Sequence, residues 1–376
     1  MSARELAAVV FWIGAATPVY AYLGYPVVLL LLRRVLHRGV IKKPIEPFVS
    51  LIVPAYNEAE VIERKIENSL ALDYPPEKLE ILVASDGSRD ATAALAKKHE
   101  DGVRVRVFDY KQNRGKIRTL NATVEQARGE VLVFSDAAAV LLPESLRILV
   151  MNFADPTVGA VSGKYSVVKA DEVDIGKSED FYWKYETFLK SNESEVASTL
   201  GGHGQLNAIR KELYPFPSAD IINDDYVIPV SVLAKRFRAV YEPKAIVYEE
   251  AHEMTGFGRR VRIMTGNIQQ VGQIRGVMRP FRPLPLFFFL SHKVSRLIVP
   301  FGMVAALIAN AFLLDSPVYR TLFALQILFY GMALLGAVVQ IRPKMLLLPF
   351  YFCMVNVATF FGFYHAFTSR RAMAWK

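Results

Sequence analysis

Between residues 49 and 140 the chain alternates short apolar runs with helical patterns, and each run stops at a polar cluster. The predicted strands are 49–54, 79–84, 103–108 and 131–134. Continuous runs of this length fit strands covered on both faces, as in a parallel sheet crossed over by helices. The clusters that follow them are Asn57-Glu58, Asp86-Gly87-Ser88, the loop with Arg114 and Lys116, and Ser135-Asp136. In an open α/β sheet, ligands sit beyond the carboxyl ends of the strands, so these residues are predicted to share one site. Asn57 is also placed to cap a helix whose apolar face is Val61, Ile62, Ile66, Leu70 and Leu72. Further helices are expected over 91–99 and from Lys116 to Arg128.

The chemistry of those clusters narrows the ligand. A carboxylate such as Asp86 accepts hydrogen bonds from a base or ribose. Arg114 and Lys116, near a helix start, suit a diphosphate. Neither a G-x-x-x-x-G-K-[S/T] loop nor a G-x-G-x-x-G turn occurs, which excludes a Walker-type nucleotidase and a dinucleotide dehydrogenase. With a single cysteine, Cys353, the chain has no disulfide framework and no thiolate metal site.

Both ends of the chain are apolar enough to raise the mean hydropathy to +0.23. No charged residue occurs from Leu6 to Leu32, which is long enough to cross a bilayer that needs about 20 apolar residues. A cleaved signal peptide is the competing reading, but the apolar run continues past Ala15-Ala16 and Ala21, so an uncleaved anchor is favoured. Arg33, Arg34, His37, Arg38, Lys42 and Lys43 follow at once. By the positive-inside rule they put the N-terminus outside and the next domain in the cytosol, on a cell membrane. Further spans are predicted at 297–314 and 319–341, with an ambiguous apolar segment at 345–367. The predicted organisation is an anchor (1–36), a cytosolic domain (47–255), interfacial helices (256–296) and C-terminal membrane helices (297–376). The net charge of +9 is better matched to anionic lipid than to nucleic acid, because no basic-aromatic face is laid out for the latter.

Past Pro143 the pattern changes. Residues 158–168 read as a strand, and 180–189 as a helix with an aromatic stripe of Phe181, Tyr182, Trp183 and Tyr185, where packing is preferred to a sugar platform. Gly201 to Arg210 is glycine-dense and then strand-like, and its glycines let a ligand approach the backbone. Asp224 and Asp225 open a helix, where the dipole favours negative charge and simple capping is the plain alternative. From Phe257 an amphipathic helix begins with Arg259, Arg260 and Arg262.

The runs V-S-L-I-V-P-A-Y-N-E-A, D-Y-P-P-E-K-L-E-I-L-V-A-S-D-G-S-R-D-A-T and N-R-G-K-I-R-T-L-N resemble those of the family 2 glycosyltransferases. The resemblance covers roughly residues 47–275 and is nearest to the cellulose synthase/hyaluronan synthase-like branch. It implies a GT-A fold, a nucleotide-sugar donor (usually UDP-linked), Mg²⁺ or Mn²⁺, and inversion at the anomeric carbon. By the same resemblance Ala55, Tyr56, Asn57, Glu58, Asp86, Gly87 and Ser88 hold the nucleoside, with Lys116 near the base or diphosphate. Asp136, followed by Ala137, takes the first position of a D-x-D metal motif whose third position is here Ala138. His252 is a further candidate ligand. Asp225, beside Asp224, takes the place of the general base. The stretch matching Q-x-x-R-W keeps Arg262, supported by Arg259 at the diphosphate, but lacks the glutamine and tryptophan. That weakens a processive synthase. His203 and Gly204 fall on the acceptor side, with His203 read as a binding or structural group before a base.

The function expected is transfer of a sugar to a lipid-linked or glycan acceptor at the cytosolic membrane face. One alternative is a polymer synthase that exports its product, which with three or four spans needs self-association or a partner. The other is a weakly catalytic, nucleotide-binding scaffold in an envelope-assembly complex, suggested by the altered D-x-D.

Overall fold

The computed structural model describes residues 1–168, 175–250, 257–278, 281–339 and 344–368. Eight strands form one mixed sheet: β1 Val49–Ala55, β2 Leu79–Asp86, β3 Val105–Tyr110, β4 Val131–Phe134, β5 Val140–Leu141, β6 Val158–Val168, β7 Asn207–Arg210 and β8 Arg238–Glu250, in the order β3-β2-β1-β4-β7-β6-β8-β5. β1 pairs in parallel with both β2 and β4, and β2 with β3. The chain thus winds outward on one side of β1, then returns to add β4 on the other. That reversal opens a crevice beyond the ends of β1 and β4, where Asn57, Glu58 and Asp136 emerge. β7 is antiparallel to both β4 and β6 and extends the sheet away from β1, β2 and β3.

The strands form because their side chains serve two cores at once. Val49, Leu51, Val53 and Ala55 of β1 pack into one apolar cluster, while Ile52 joins Leu82, Leu132 and Phe134 in another on the opposite face. This period of two explains why the runs are continuously apolar instead of alternating.

Sequence and structure differ at several edges. The helix after β1 is Ile62–Leu70 with Val61 at its N-cap, so Asn57 does not cap it. Asn57 instead takes a left-handed backbone (φ 56°), which asparagine tolerates better than most residues. β3 begins two residues later than expected, and the aromatic helix is longer, Ile175–Val196.

Gly87 is required by space and by conformation. Its φ is 68°, and a β-carbon there would lie 2.4 Å from the Asn113 nitrogen, where loop 112–113 crosses the end of β2. Gly87→Ala is expected to cost at least about 1–3 kcal/mol of stability, read as a lowered thermal midpoint, with a raised KM for donor because the displaced loop carries Lys116.

Among the described residues four helical runs are long and apolar enough to cross a membrane: Ala3–Leu36, Pro283–Ala311, Pro317–Val338 and Leu346–Thr368. The second begins well before residue 297 and passes through a π-helical turn at Phe289–Val294, so the expected border between interfacial and spanning segments falls inside one helix. A similar π turn, Tyr20–Gly24, interrupts the first run, and the two meet where the Tyr20 and Ser291 hydroxyls lie 2.7 Å apart. His252 lies outside the described residues.

Candidate active site

The loops after β1 and β2 are tied together before they meet any ligand. Asn57 donates its backbone N–H to Ser88 Oγ (3.2 Å) and accepts from the Arg89 N–H at Oδ1 (2.8 Å). The Glu58 N–H donates to Thr92 Oγ1 at 2.8 Å. Asp86 is fully buried at the end of β2. Its carboxylate accepts from the backbone N–H groups of Arg114 and Gly115, both at 2.9 Å, and from the Thr119 hydroxyl at 2.7 Å. Asp86 therefore organises the 113–116 loop, and its carboxylate is engaged by protein where a base or ribose was expected.

The consequence is the placement of Lys116 at the first turn of the helix Lys116–Gln126. Its ammonium lies 3.0 Å from Asp136 Oδ1 and 3.2 Å from Asp224 Oδ2. Burial works against that charge, but Asp136 and Asp224 together outweigh it and hold the lysine pKa above its ordinary value. Gly204 abuts this pair, since a side chain there would meet Asp136 Oδ2 at 3.3 Å.

Asp136 sits in a turn braced from behind by Lys65, a residue the sequence reading passed over. Lys65 is 1% exposed, and its ammonium donates to Ser135 Oγ and to the Ala139 carbonyl, both at 2.6 Å. Burial pushes its pKa down to about 7, with Asp136 opposing that shift. The signal was present: a lysine three residues after Ile62 and four before Ser69 lies on the buried stripe of its helix.

Asp224 and Asp225 begin the helix Asp224–Ser231, as expected. The Asp225 carbonyl accepts from the Gly202 N–H at 2.7 Å, which ties the glycine-rich loop to the acid pair. Burial, then the neighbouring Asp224, push the Asp225 carboxyl up to about 6, against the pull of Lys190, Lys116 and Lys293. The helix Phe257–Val277 is fastened over this corner. Asn223 Nδ2 donates to Asn267 Oδ1 at 3.1 Å, and Gln269 Nε2 to the Asp220 carbonyl at 3.0 Å. Arg259 and Arg262 on that helix face the same carboxylates. Burial and Arg259 lower the Arg262 pKa, while Asp224, Asp136 and Asp225 act to raise it.

Together these elements enclose a cleft of about 1280 Å³ whose lining includes Glu58, Lys116, Asp136, Ala137, Asp224, Arg259 and Arg262. Glu249, at the end of β8, also lines it, held by the Tyr165 hydroxyl (2.9 Å) and Gln205 Nε2 (3.3 Å). Ala55, Tyr56, Asn57, Asp86, Gly87 and Ser88 are not among the residues that line it.

His203 is elsewhere. It is 4% exposed, in a box formed by Trp183, Tyr241 and Tyr165, with ring centroids 5.2, 5.8 and 6.1 Å away. Its Nε2 lies 3.3 Å from the Lys190 ammonium, and burial holds its pKa well below the ordinary histidine value. An imidazole packed this way is held by its neighbours, away from the cleft lining. The aromatic stripe is spent on the same box, since Trp183 also packs edge-on against Tyr165 at 4.9 Å. The Phe181 side chain lies outside the described residues.

Among the described residues no group of three His, Cys, Asp or Glu side chains is arranged to hold a metal ion. The acidic groups lining the cleft nevertheless offer only oxygen, the donor type of Mg²⁺ and Mn²⁺. Asp136, a third exposed and facing the cleft, fits such an ion if diphosphate oxygens complete its coordination.

Residues 50–214 match the family model described as "Glycosyl transferase family 2". The chain is 28% identical over 225 residues to a poly-β-1,6-N-acetyl-D-glucosamine synthase of Staphylococcus aureus (strain COL), covering 58% of this chain and 54% of that one. It is 24% identical over 266 residues to the Staphylococcus epidermidis synthase of the same name, covering 69% and 61%. The aligned part is thus about half to three-fifths of these relatives' length. Among solved structures, a mannosyltransferase from Pyrobaculum calidifontis in complex with GDP-Man and Mn²⁺ superposes with a TM-score of 0.73 at 26% identity, over 96% of this chain and 100% of that one.

Proposed function

We propose that this chain, whose residues 50–214 match the glycosyl transferase family 2 model and whose fold is of the GT-A type, is a glycosyltransferase that moves a sugar, with inversion, from a nucleotide diphosphate donor to an acceptor hydroxyl at a membrane face. One observation carries the reading: Lys116 joins Asp136 and Asp224 in the cleft at the β1/β4 switch point, and Asp225 adjoins them. The donor's diphosphate lies along Lys116, Arg259 and Arg262. The acceptor enters from the side of Gly202 and Asp225. Asp225 takes the hydroxyl proton as the acceptor oxygen bonds to the anomeric carbon. The bond from that carbon to the diphosphate breaks, and the departing charge falls on the lysine and arginines. Mg²⁺ or Mn²⁺, bound at Asp136, supplies further neutralisation of the diphosphate. The Mn²⁺ of the Pyrobaculum enzyme supports a divalent ion.

The catalytic domain faces the cytosol, on the argument of the basic flank Arg33 to Lys43. Uracil, carried on a UDP-sugar, is the base expected from the resemblance, and the GDP-Man of the Pyrobaculum enzyme makes guanine the other arm of the test. Membranes bearing the protein, given isotopically labelled UDP- and GDP-sugars, are expected to transfer label from at least one donor. The absence of both transfer and donor hydrolysis across the panel would sink the reading. Polymer synthesis is the second reading, favoured by what the staphylococcal relatives are named for. A ladder of products, against one added sugar, separates the two.

A further inference from the structure

Lys293 stands in the π turn Phe289–Val294, within the candidate span Pro283–Ala311 and toward the catalytic domain. It is half-buried, and its ammonium lies 5.9 Å from the centroid of Tyr226, the residue next to Asp225. Its charge acts on three groups of the acceptor side: Asp225, Lys190 and His203. Among the described residues no carboxylate lies within ion-pairing distance of it. The other lysines near Asp225 have partners. Lys116 is held between Asp136 and Asp224, and Lys190 donates to the Gly202 carbonyl at 2.9 Å. Among the described residues, Lys293 is therefore a cation of this corner that makes no ion pair, with Asp225 the carboxylate its charge acts on. A half-buried ammonium beside a membrane span is costly to leave uncompensated.

We propose that the acceptor is a saccharide carried on a lipid phosphate or diphosphate, whose anionic group rests on Lys293 while its hydroxyl meets Asp225. This deepens the proposed transfer reaction and rests on Asp225 being the side where the acceptor enters. A neutral polysaccharide has nothing to offer Lys293. A lipid phosphate joins the anion to a hydrocarbon chain, and the same helix provides for that chain. An apolar groove of about 210 Å³ opens two to four turns farther along it, between Pro300, Met303 and Leu307 on one side and Asn356, Val357 and Phe360 on the other. The cation and the groove thus lie on one helix in the order in which the head and tail of such a lipid would meet them.

The test measures binding, so that its failure stays separate from a failure of sugar transfer. Full-length protein in nanodiscs, with the donor site filled by saturating nucleoside diphosphate, is titrated with undecaprenyl diphosphate, undecaprenol and inorganic pyrophosphate. The diphosphate lipid is expected to bind at least tenfold more tightly than the alcohol. Lys293→Gln should remove that preference with the affinity for undecaprenol unaltered, and Lys293→Arg should retain it. If Lys293→Gln lowers the thermal midpoint, Lys293→Met gives the same comparison with a longer apolar stem. Equal affinity for the two lipids, or a preference that survives both neutral variants, overturns the proposal. Pyrophosphate binding as tightly as the lipid overturns it too, by assigning the site to a soluble anion.

Discussion

Asp225→Asn lowers kcat for transfer by about 10²- to 10⁴-fold, the usual contribution of a positioned general base, with KM for donor close to wild type. Asparagine keeps the shape of the side chain, and the link to the glycine-rich loop runs through the Asp225 main-chain carbonyl, which the substitution leaves in place. What is lost is the ability to accept a proton. The same residue sets the pH dependence. Burial and Asp224 raise its carboxyl to about 6, with Lys190, Lys116 and Lys293 pulling the other way. A raised carboxyl is protonated below that pH and cannot act as base, so wild-type transfer falls as pH drops through about 6 and levels above it. The acid limb should vanish from the residual activity of Asp225→Asn. A variant with wild-type kcat, or one that keeps the acid limb, removes Asp225 from the role of base. Initial rates between pH 5 and 8 at saturating donor and acceptor decide the matter.

The half of the molecule built on β1, β2 and β4 was legible because its strands are buried on both faces. Such strands are largely apolar, with buried Ser50 and Glu80 bonded to each other as the exception, and they end where polarity resumes. That is why the ends of β1, β2 and β4 fell within a residue or two of their expected positions. The roles of the polar residues at those ends were harder to read. A sequence shows that Asp86 is a carboxylate at a strand end, but not that two backbone N–H groups and the Thr119 hydroxyl will claim it. Asn57 looked like a cap because helix caps are local, whereas its partners, Ser88 and Arg89, come from the next loop. His203 carries no local mark of burial, and the rings around it arrive from β6, β8 and the long aromatic helix. Lys65 differs from these. Its place on an apolar stripe was visible, but a lysine in such a stripe is usually expected to reach out to water. Here it turns inward to brace the Asp136 turn.

Asp136→Ala should reduce transfer by at least about 10²-fold, on the scale of removing one stabiliser of a developing charge. It should also abolish the rise in thermal midpoint that Mn²⁺ gives the wild type. The argument turns on how little else is available to hold the ion. The third position of the motif is Ala138, and Lys65 occupies the next carbonyl, that of Ala139. Asp224 already shares Lys116 with Asp136. Removing Asp136 therefore takes away the one carboxylate of the motif, and at the same time releases half of the restraint on Lys116. Asp136→Asn separates these effects, because the amide oxygen still accepts from Lys116 but binds a divalent ion poorly. If metal binding is what matters, both variants fail alike, and EDTA brings the wild type to the same level. If the restraint on Lys116 is what matters, Asn is nearly as active as Asp and Ala alone is impaired. Activity that survives both substitutions and EDTA would leave the diphosphate to Lys116, Arg259 and Arg262. An ammonium and two guanidiniums would then neutralise the leaving group on their own, and a motif with alanine in its third position would have no metal ligand to keep.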